Sequence, residues 1–564
     1  MRLRKPSVHV QFSIVLIILA SVLYGPALGI FFSLDDFEFL LRASGHESWP
    51  EEFRRPISTR FFFTAAWNIF GDNAELYHLV QLILHLATAG MIMKVSRRLN
   101  LSPMGGRVAA LLFVASPVAF TSLHWISGVA ELSMAFFALL AAWFALGDGR
   151  ASALGALIAF AAALLCKESA ILLLPAMALL MPGKRSRRLL LGLGGSAIAV
   201  TLLWAGGTFA LKAPGDPYET GFGLNLLWNL LTYLAWLARP WDFFPDRTPQ
   251  FQQGLAFWGL ILPAVFALAY WRWTGARRGI TLASLFFLLL LLPVLPLLRH
   301  SYFYYLYLPL VPIWILTGEG LARLTTSRRW TLIMVLSLFA FSTAWLTPER
   351  RHAEIGGGLL EDPVIRYATL AKTAISSMSA SKVPASGDLL ILVPFLGDTQ
   401  GLGENLREIA GGVKVQFLPV ERALLGGEVL KLFFPEVTSA RFAYEIPKGD
   451  AWQKQFLWWT YGQGNLAALG YGERGRQVLA RLLFEKGKPG LAAGHLEALL
   501  KLHPDDPNLL YDVARVALTI GERARAEEIL GMLERLALND DAPASALQAF
   551  KDLGLLLREH QQNL

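Results

Sequence analysis

The stretch FSIVLIILASVLYGPALGIFFSLDDFE, Phe12–Glu38, decides how the chain begins. Its first part, Phe12–Phe31, is long and apolar enough for one transmembrane helix. The adjacent carboxylates Asp35 and Asp36 follow directly where that helix leaves the membrane. Negative charge is expensive to keep at such a position, and the flanking phenylalanines indicate a partly buried site. The sequence therefore predicts a chemical role for this carboxylate pair.

The composition extends this reading to the rest of the chain. Of the 564 residues, 54% are hydrophobic and only 17% are charged, which is typical of a polytopic membrane protein and excludes an ordinary soluble one. The net charge of +8 does not indicate nucleic-acid binding, because the basic residues form short clusters between apolar runs. The single cysteine, Cys166, excludes an intramolecular disulfide.

Apolar runs of helix length predict about eleven transmembrane helices. The predicted spans are Phe12–Phe31, Tyr77–Val95, Val108–Leu123, Ile126–Leu146, Ala151–Cys166, Ser169–Met181, Leu189–Leu211, Leu255–Trp271, Ile280–Leu298, Tyr302–Leu316 and Trp330–Leu346. The fifth and sixth can also be read as one long tilted helix, Ala151–Met181. Leu224–Leu237 is predicted to be an interfacial helix.

Charge asymmetry predicts the orientation. Lysines and arginines cluster at the N-terminus and in every second connection, whereas acidic residues gather in the others. The positive-inside rule therefore puts the N-terminus in the cytoplasm. It puts the Asp pair and everything after Leu346 outside, which is the periplasm for a bacterial inner membrane or the ER lumen for a eukaryote.

The sequence predicts three parts: a catalytic transmembrane domain at 1–347, a small extracytoplasmic α/β segment at 348–452 and tetratricopeptide-like helical repeats at 453–564. Leu389–Phe395 and Val413–Val420 are typical of short strands. Phe456–Tyr471 and Gly472–Phe484 are predicted to form a degenerate helix pair that precedes the repeats.

The repeats are recognised by their period. Gly487 and Ala492 recur 34 residues later as Gly521 and Ala526, and 34 residues is the tetratricopeptide period. A helical cap without a ligand and a binding surface for a peptide or partner both remain open for this tail.

Asp35 and Asp36 are candidates for a general base that deprotonates an acceptor hydroxyl, or for a carboxylate that stabilises an oxocarbenium-like centre. Ser33 or either Asp would alternatively cap a helix that begins at Phe37. No metal is required by this chemistry, although a divalent cation at the Asp pair stays open.

Arg54 and Arg55 lie in the same outer loop and are candidates to anchor a phosphate or to pair with the Asp residues; snorkelling to lipid headgroups is the alternative. Lys167 is a compact cation suited to binding a phosphate, and Glu168 would orient the lysine side chain. A structural ion pair at a helix break is the alternative for these two residues.

Arg299 is predicted to bind a phosphate together with the hydroxyls of Tyr302 and Tyr305, unless these tyrosines form an aromatic interface belt. His124 and Glu131 lie on the same outer face, where His124 is a candidate proton carrier or metal ligand, or a satisfied interfacial histidine. The sequence contains no metal-spaced His/Cys cluster, P-loop or dinucleotide fingerprint. This convergence of charged groups on one membrane face suits a lipid-phosphate substrate.

Several segments together resemble the GT-C superfamily, specifically the branch of protein O-mannosyltransferases and TMTC (transmembrane and TPR repeat-containing) proteins. The resemblance covers roughly residues 10–320. It rests on Asp35-Asp36, Arg55-Pro56, Phe70-Gly71, Tyr77-His-Leu79 with His85, Trp125-Ile-Ser-Gly-Val-Ala-Glu131, Leu165-Cys-Lys-Glu168 and Tyr305-Leu-Tyr-Leu-Pro309.

This resemblance implies an inverting transfer, outside the cytoplasm, of a hexose or pentose from a polyprenyl-phosphate-linked donor. It implies that Asp35 or Asp36 is the base and that Lys167 and Arg299, with Tyr302 or Tyr305, hold the donor phosphate. Arg55 and Glu168 would then be supporting groups. The identity of the acceptor stays open between a protein, a lipid-linked glycan and a polysaccharide. The C-terminal repeats are candidates to hold this acceptor.

Two other classes of function compete with this one. A transporter of polyprenyl-linked substrates would show two similar halves with broken helices at the membrane midplane, and neither feature is evident. A membrane scaffold with a partner-binding tail predicts that Asp35, Asp36 and Lys167 are dispensable.

Overall fold

The computed structural model describes residues 8–50, 54–180, 184–204, 218–238, 254, 257–298, 301–323, 329–354, 359–382, 385–392, 419–443, 451–461, 464–539 and 543–562. The chain separates into two compact units, Met1–Thr369 and Leu370–Leu564.

The regular elements described in the first unit are helices. They are α1 Val8–Tyr24, α2 Asp35–Ala43, α3 Phe62–Phe70, α4 Ala74–Arg98, α5 Pro103–Val114, α6 Ala119–His124, α7 Val129–Ala145, α8 Arg150–Cys166, α9 Leu173–Leu180, α10 Lys184–Trp204, α11 Leu224–Ala238, α12 Leu262–Thr274, α13 Arg277–Leu291, α14 Leu310–Ala322, α15 Arg329–His352 and α16 Pro363–Ser379. The last of these continues into the second unit.

Among the described residues, three helical stretches are long and apolar enough to cross a membrane: Val10–Gly29, Ala74–Arg98 and Ile126–Ala145. Shorter apolar helices accompany them, among them Arg150–Cys166 and Leu310–Ala322. The prediction of an integral membrane protein is confirmed, whereas the number of eleven spans and their orientation stay predictions.

Several of the predicted apolar stretches are not single α-helices. Val108–Leu123 is divided between α5 and α6. The reading of Ala151–Met181 as one long helix is wrong, because Lys167 has an extended backbone (φ −159°, ψ 133°) and a 3₁₀ turn, Glu168–Leu172, follows it. The Ser58 hydroxyl donates to the Cys166 carbonyl at 2.7 Å and so satisfies one carbonyl left open at the end of α8.

Small residues let the helices of this unit approach closely. A Cβ added at Gly318 of α14 would lie 2.5 Å from the Gly105 carbonyl oxygen of α5 and 2.7 Å from the Ala109 amide nitrogen. Ala156 and Ala163 of α8 are likewise completely buried. Close backbone approach of this kind is how helices associate in membranes, where burial of apolar surface gives little driving force.

The second unit combines a sheet with helices. Its described strands are β1 Gly387–Leu392, β2 Val437–Ala443, β3 Phe456–Tyr461 and β4 Asn465–Tyr471, and its further helices are α17 Pro419–Ala423, α18 Leu430–Phe433, α19 Gly472–Glu485, α20 Pro489–Leu500, α21 Pro507–Thr519, α22 Arg523–Ala537 and α23 Ala544–Gln562. The strand order is β2-β1-β3-β4. β1 runs parallel to β2 and β3, and β3 is antiparallel to β4.

The structure corrects two predictions for this unit. Phe456–Tyr471 is a β-hairpin rather than a helix, because its first half is rich in aromatic residues that favour strands and Gly464 takes φ +90° at the turn. The prediction of a strand at Val413–Val420 is wrong at its end, where α17 begins at Pro419; its first residues, 413–418, lie outside the described part. The strand at Leu389–Phe395 is confirmed as far as Leu392.

The 34-residue period has a structural basis. Ala492 and Ala526 are both completely buried, in the second helix of successive pairs. Gly487 and Gly521 take φ of +74° and +84° just after the first helices, a conformation that glycine adopts without steric penalty at a helix C-terminus. The helical-repeat prediction is therefore confirmed from Gly472 onward.

Candidate functional site

The Asp pair lies in the first turn of α2, which begins at Asp35. The alternative of a capped helix that begins at Phe37 differs from the structure, because α2 starts two residues earlier and Leu34, at its N-cap, has φ +53°. A positive φ is uncommon for a residue with a bulky side chain. Such strain persists only where the surrounding structure fixes it, and it concentrates at functional sites.

The two carboxylates have different environments, which the sequence could not distinguish. Asp35 is exposed, whereas Asp36 is completely buried. The Asp36 Oδ1 accepts hydrogen bonds from the Ser127 amide at 2.7 Å and from the Ser127 hydroxyl, and Oδ2 accepts from the Ser33 amide at 2.9 Å. Burial raises the pKa of Asp36 to about 7, although the bonds from Ser127 and Ser33 act in the opposite direction.

Residues of α4 hold the segment that presents Ser127. The Gln81 amide nitrogen lies 2.8–3.1 Å from three backbone carbonyl oxygens in the segment 122–126. His78 Nδ1 lies 2.9 Å from the Leu123 carbonyl oxygen. Both side chains are buried, so the donors that bind Asp36 are themselves fixed by the helix bundle.

Arg54 and Arg55 converge on Glu168. Arg55 binds both carboxylate oxygens, with Nε at 2.6 Å from Oε2, and Arg54 donates to Oε1 at 3.0 Å. This pairing with Glu168 was not among the alternatives left open for the two arginines. Burial lowers the pKa of Arg55, but the charge and hydrogen bonds of Glu168 outweigh this effect, so the pKa lies above its usual range. Arg55 also has a positive φ, +50°.

Lys167 pairs with Glu131 of α7. Glu168, which was expected to orient Lys167, instead pairs with Arg54 and Arg55. Lys167 is 9% exposed. Burial lowers its pKa, against the effect of the Glu131 carboxylate.

Tyrosine rings surround the Lys167 ammonium group. The Nζ atom lies 5.0 Å from the centre of the Tyr305 ring and 5.8 Å from that of Tyr304, within the range of a cation–π contact. Tyr302 stacks on Tyr304 with ring centres 5.5 Å apart. The structure thus brings Tyr302 and Tyr305 to Lys167 as a group, and it adds Tyr304, which the sequence analysis did not single out. Arg299 lies outside the described residues.

We call Arg54, Arg55, Lys167, Glu131 and Glu168 the cation cluster. Its three cations and two carboxylates carry a formal charge of +1. Desolvated cations that are held by carboxylates are preorganised for an additional anion. The cluster adjoins the Asp pair at the start of α7, because Ser127 lies in the 3₁₀ turn Ile126–Gly128 that directly precedes α7, and Glu131 lies in the first turn of α7.

Tyr218 is a further residue that the sequence analysis missed. It is 44% exposed. Its pKa is raised, first by burial, and the charges of Arg55, Asp35, Arg54 and Glu168 all act on it. Tyr218 therefore lies within electrostatic reach of both the Asp pair and the cation cluster. No motif in the sequence marks it, since it follows a run that carries no recognisable pattern.

His124 is bound to its own helix. Its Nδ1 lies 2.9 Å from the Phe120 carbonyl oxygen, and its ring stacks on Phe120 with centres 3.9 Å apart. These contacts engage Nδ1 only, whereas Nε2 is buried without a hydrogen-bond partner among the described residues, so the alternatives for His124 stay open.

A divalent cation at the Asp pair stays a prediction. The described partners of Asp36 are the Ser33 amide and the amide and hydroxyl of Ser127. Within the described ranges, no group of three His, Cys, Asp or Glu side chains has the arrangement of a metal site.

Two family models match the chain. The model of dolichyl-phosphate-mannose-protein mannosyltransferases matches residues 54–206, a range that contains the whole cation cluster and begins after the Asp pair. A tetratricopeptide-repeat model matches residues 483–549. No curated protein matches the chain.

Solved structures show weaker similarity. ArnT from Cupriavidus metallidurans, in a crystal structure with undecaprenyl phosphate, is 15% identical with a TM-score of 0.39, over 75% of this chain and 77% of ArnT. The Archaeoglobus fulgidus oligosaccharyltransferase is 12% identical with a TM-score of 0.38, over 69% of this chain and 62% of its own. The mycobacterial arabinofuranosyltransferase AftD is 15% identical with a TM-score of 0.37, over 68% of this chain and 29% of its own. The family models alone confirm what the sequence motifs indicated: the chain resembles the GT-C mannosyltransferases over residues 54–206 and carries tetratricopeptide repeats near its C-terminus.

Proposed function

We propose that the protein transfers a sugar, with inversion, from a polyprenyl-phosphate-linked donor to an acceptor hydroxyl on the outer side of the membrane. Asp35 is the general base in this proposal. The donor phosphate binds at the cation cluster, with the tyrosines beside Lys167 and with Arg299.

One observation supports this proposal above all others: an exposed carboxylate adjoins a partly buried cluster of three cations, at the ends of apolar helices. A polyprenyl-phosphate sugar has matching parts. Its lipid tail requires apolar helices, its phosphodiester carries one negative charge that complements the +1 of the cluster, and its anomeric carbon must face a base.

The reaction requires one proton transfer and one displacement. The Asp35 carboxylate takes the proton of the acceptor hydroxyl as the acceptor oxygen forms a bond to the anomeric carbon. The bond between that carbon and the phosphate oxygen breaks, and the phosphate leaves with the electron pair. Its charge rises from −1 to −2, and the cation cluster stabilises this developing charge. A single displacement inverts the anomeric configuration.

Asp36 has a positioning role in this scheme. Both of its carboxylate oxygens are engaged by Ser33 and Ser127, so it holds the first turn of α2 in place. The exposed neighbour, Asp35, is the carboxylate that an acceptor can reach. This division assigns the base to Asp35.

The match to tetratricopeptide repeats supports a second, more limited proposal for the tail. Such repeats stack helix pairs into surfaces that bind extended segments. The repeats would hold a protein acceptor, and a fragment of the tail that folds alone and still binds acceptor would demonstrate this. The scaffold alternative predicts the same binding but no donor turnover.

The test of function uses the purified full-length protein in lipid nanodiscs with a panel of radiolabelled polyprenyl-phosphate hexoses and pentoses. Release of polyprenyl phosphate is measured with and without added hydroxyl acceptors. Turnover of at least one donor by the wild type, and its loss in the double variant Lys167→Met, Glu131→Gln with retained folding, is the expected result. Donor turnover that is insensitive to the cation cluster would contradict the proposed phosphate site.

A further inference from the structure

The first turn of α16 is hydrogen-bonded to the loop that carries the Asp pair. The Ser33 hydroxyl donates to the Val364 carbonyl oxygen at 2.9 Å, across 331 residues of sequence. The Ser33 amide donates to Asp36 Oδ2, also at 2.9 Å. Ser33 is completely buried, so one fixed residue joins Asp36 to α16.

The backbone at this point needs such a fixed residue. Leu34, between Ser33 and Asp35, has φ +53° and ψ −122°, a conformation that a residue with a side chain adopts only under constraint. The two hydrogen bonds of Ser33 constrain the residue that directly precedes the strained one. Without the Val364 bond, the turn would retain fewer contacts to oppose relaxation of Leu34.

The α16 end of the contact is itself rigid. Asp362 caps α16 by accepting from the Val364 and Ile365 amides at 3.0 and 3.3 Å. The same carboxylate binds Arg350 Nε at 2.7 Å, and both side chains are buried. Arg350 also donates to the Thr121 hydroxyl at 2.9 Å. The position of the Val364 carbonyl is therefore fixed by a buried ion pair that belongs to the first unit.

An apolar cluster completes the anchor. Ile30 and Phe120 pack with Ile365 and Ala368 of α16, and the Arg350 guanidinium lies 4.3 Å from the Phe120 ring centre. The segment before the Asp pair and the start of α16 thus share one small core.

We infer that the first turn of α16 is a positioning element of the catalytic centre, in which the Val364 carbonyl holds Ser33 and Ser33 holds Asp36. This inference rests on the proposed function, because Asp36 is assigned there to the placement of Asp35. It adds Ser33, Asp362 and Arg350 as positioning residues that touch no substrate.

The test begins with Ser33→Ala in the full-length protein. Loss of one buried hydrogen bond lowers turnover about 3- to 10-fold, with the KM for the donor unchanged because the cation cluster is intact. Ser96→Ala is the matched control, since Ser96 is equally buried and its hydroxyl bonds its own helix at the Ile92 carbonyl. Ser96→Ala keeps wild-type turnover.

A double-mutant cycle separates positioning from a general structural effect. If Ser33 acts through Asp36, Ser33→Ala has no further effect on turnover in an Asp36→Asn background. An equal loss in both backgrounds overturns the inference. Asp362→Asn reaches the same turn without altering Ser33 and also lowers turnover. The control Asp388→Asn alters a carboxylate that accepts from the Ser439 hydroxyl in the sheet of the second unit, and it does not lower turnover.

A readout independent of activity keeps the two proposals distinguishable. Hydrogen exchange followed by mass spectrometry reports on the amides of residues 33–37, and we expect faster exchange there in Ser33→Ala and Asp362→Asn but not in Ser96→Ala. Unchanged exchange overturns the positioning inference whatever the activity. If the wild type has no donor turnover but the variants show the expected exchange, the proposed function is overturned, whereas the role of Ser33 in holding residues 33–37 is retained.

Discussion

The two sides of the candidate site stabilise charge in opposite ways. Asp36 at the start of α2 is held by neutral donors, two backbone amides and one hydroxyl. At the break after α8, Lys167 and Arg55 are held by the carboxylates Glu131 and Glu168. Neutral donors orient a carboxylate without compensating its charge, whereas carboxylates nearly neutralise the cations. The first arrangement suits a carboxylate that fixes the position of the neighbouring Asp35, and the second suits the exchange of one anion for another.

Lys167→Met is expected to have the largest effect on stability, because it leaves Glu131 buried without its partner. Breaking a buried ion pair in this way typically destabilises a protein by about 3–5 kcal/mol. Thermal unfolding of the detergent-solubilised protein measures the loss. Lys167→Met combined with Glu131→Gln is expected to recover most of the stability but none of the donor binding, and recovery of binding would contradict the phosphate role.

The contribution of Asp36 to the stability of the fold is expected to depend on pH. The pKa of Asp36 is raised from its ordinary value of 3.8 to about 7 by burial, so the folded protein binds this proton more tightly than the unfolded chain. Its stabilising contribution is present below about pH 4 and is lost as the pH rises to about 7, up to about 4 kcal/mol. The unfolding temperature of the wild type should therefore fall relative to that of Asp36→Asn across this window; parallel pH profiles would contradict the assignment.

Ser127→Ala removes one hydrogen bond to Asp36 without changing charge. Hydrogen bonds to charged groups contribute about 1.5–3 kcal/mol, so we expect turnover to fall about 10-fold or more while donor affinity stays the same. Ser133→Ala is the control, because the Ser133 hydroxyl bonds the Val129 carbonyl of its own helix. A change in the KM for the donor, rather than in turnover, would show that Ser127 acts on donor binding and would contradict its role beside Asp36.

Arg55→Lys is expected to have the smallest effect. The substitution keeps the charge, but lysine cannot bind Glu168 through two parallel hydrogen bonds. The side chains of the cation cluster are then less well fixed, and we expect the affinity for the donor to fall about 10-fold. Arg60→Lys, at an exposed arginine nearby, is the control for expression and general charge effects. Equal donor binding by Arg55→Lys and wild type would show that bidentate pairing is not needed.

Parts of the fold could be predicted from the sequence because they depend on local patterns. Apolar runs marked the helices, and small residues at a fixed period marked the repeats. The β-hairpin at Phe456–Tyr471 was missed because its glycines and alanines obscure the aromatic pattern. The break at Lys167 was recognised, but the sequence left open whether the flanking helices were continuous, since a bond from Ser58 helps to end α8.

The residue types of the site were predicted better than their partners. Lys167 and Glu168 are adjacent in sequence, yet each pairs with a residue from elsewhere, Glu131 for the lysine and Arg55 for the glutamate. Ser127 resembles any serine near a helix start, and only its bonds to Asp36 give it a role. Such pairings depend on tertiary packing, which one sequence does not encode in a readable spacing.

The most direct test of the account is donor turnover by Asp35→Asn beside Asp72→Asn, an exposed acid in the same outer loop. Both proteins are compared with wild type for folding and for binding of the polyprenyl-phosphate sugar. The account predicts that Asp35→Asn binds the donor normally but transfers sugar about 10²–10⁴ times more slowly, while Asp72→Asn is unaffected. Wild-type transfer by Asp35→Asn would contradict the assignment of the base and, with it, the proposed mechanism.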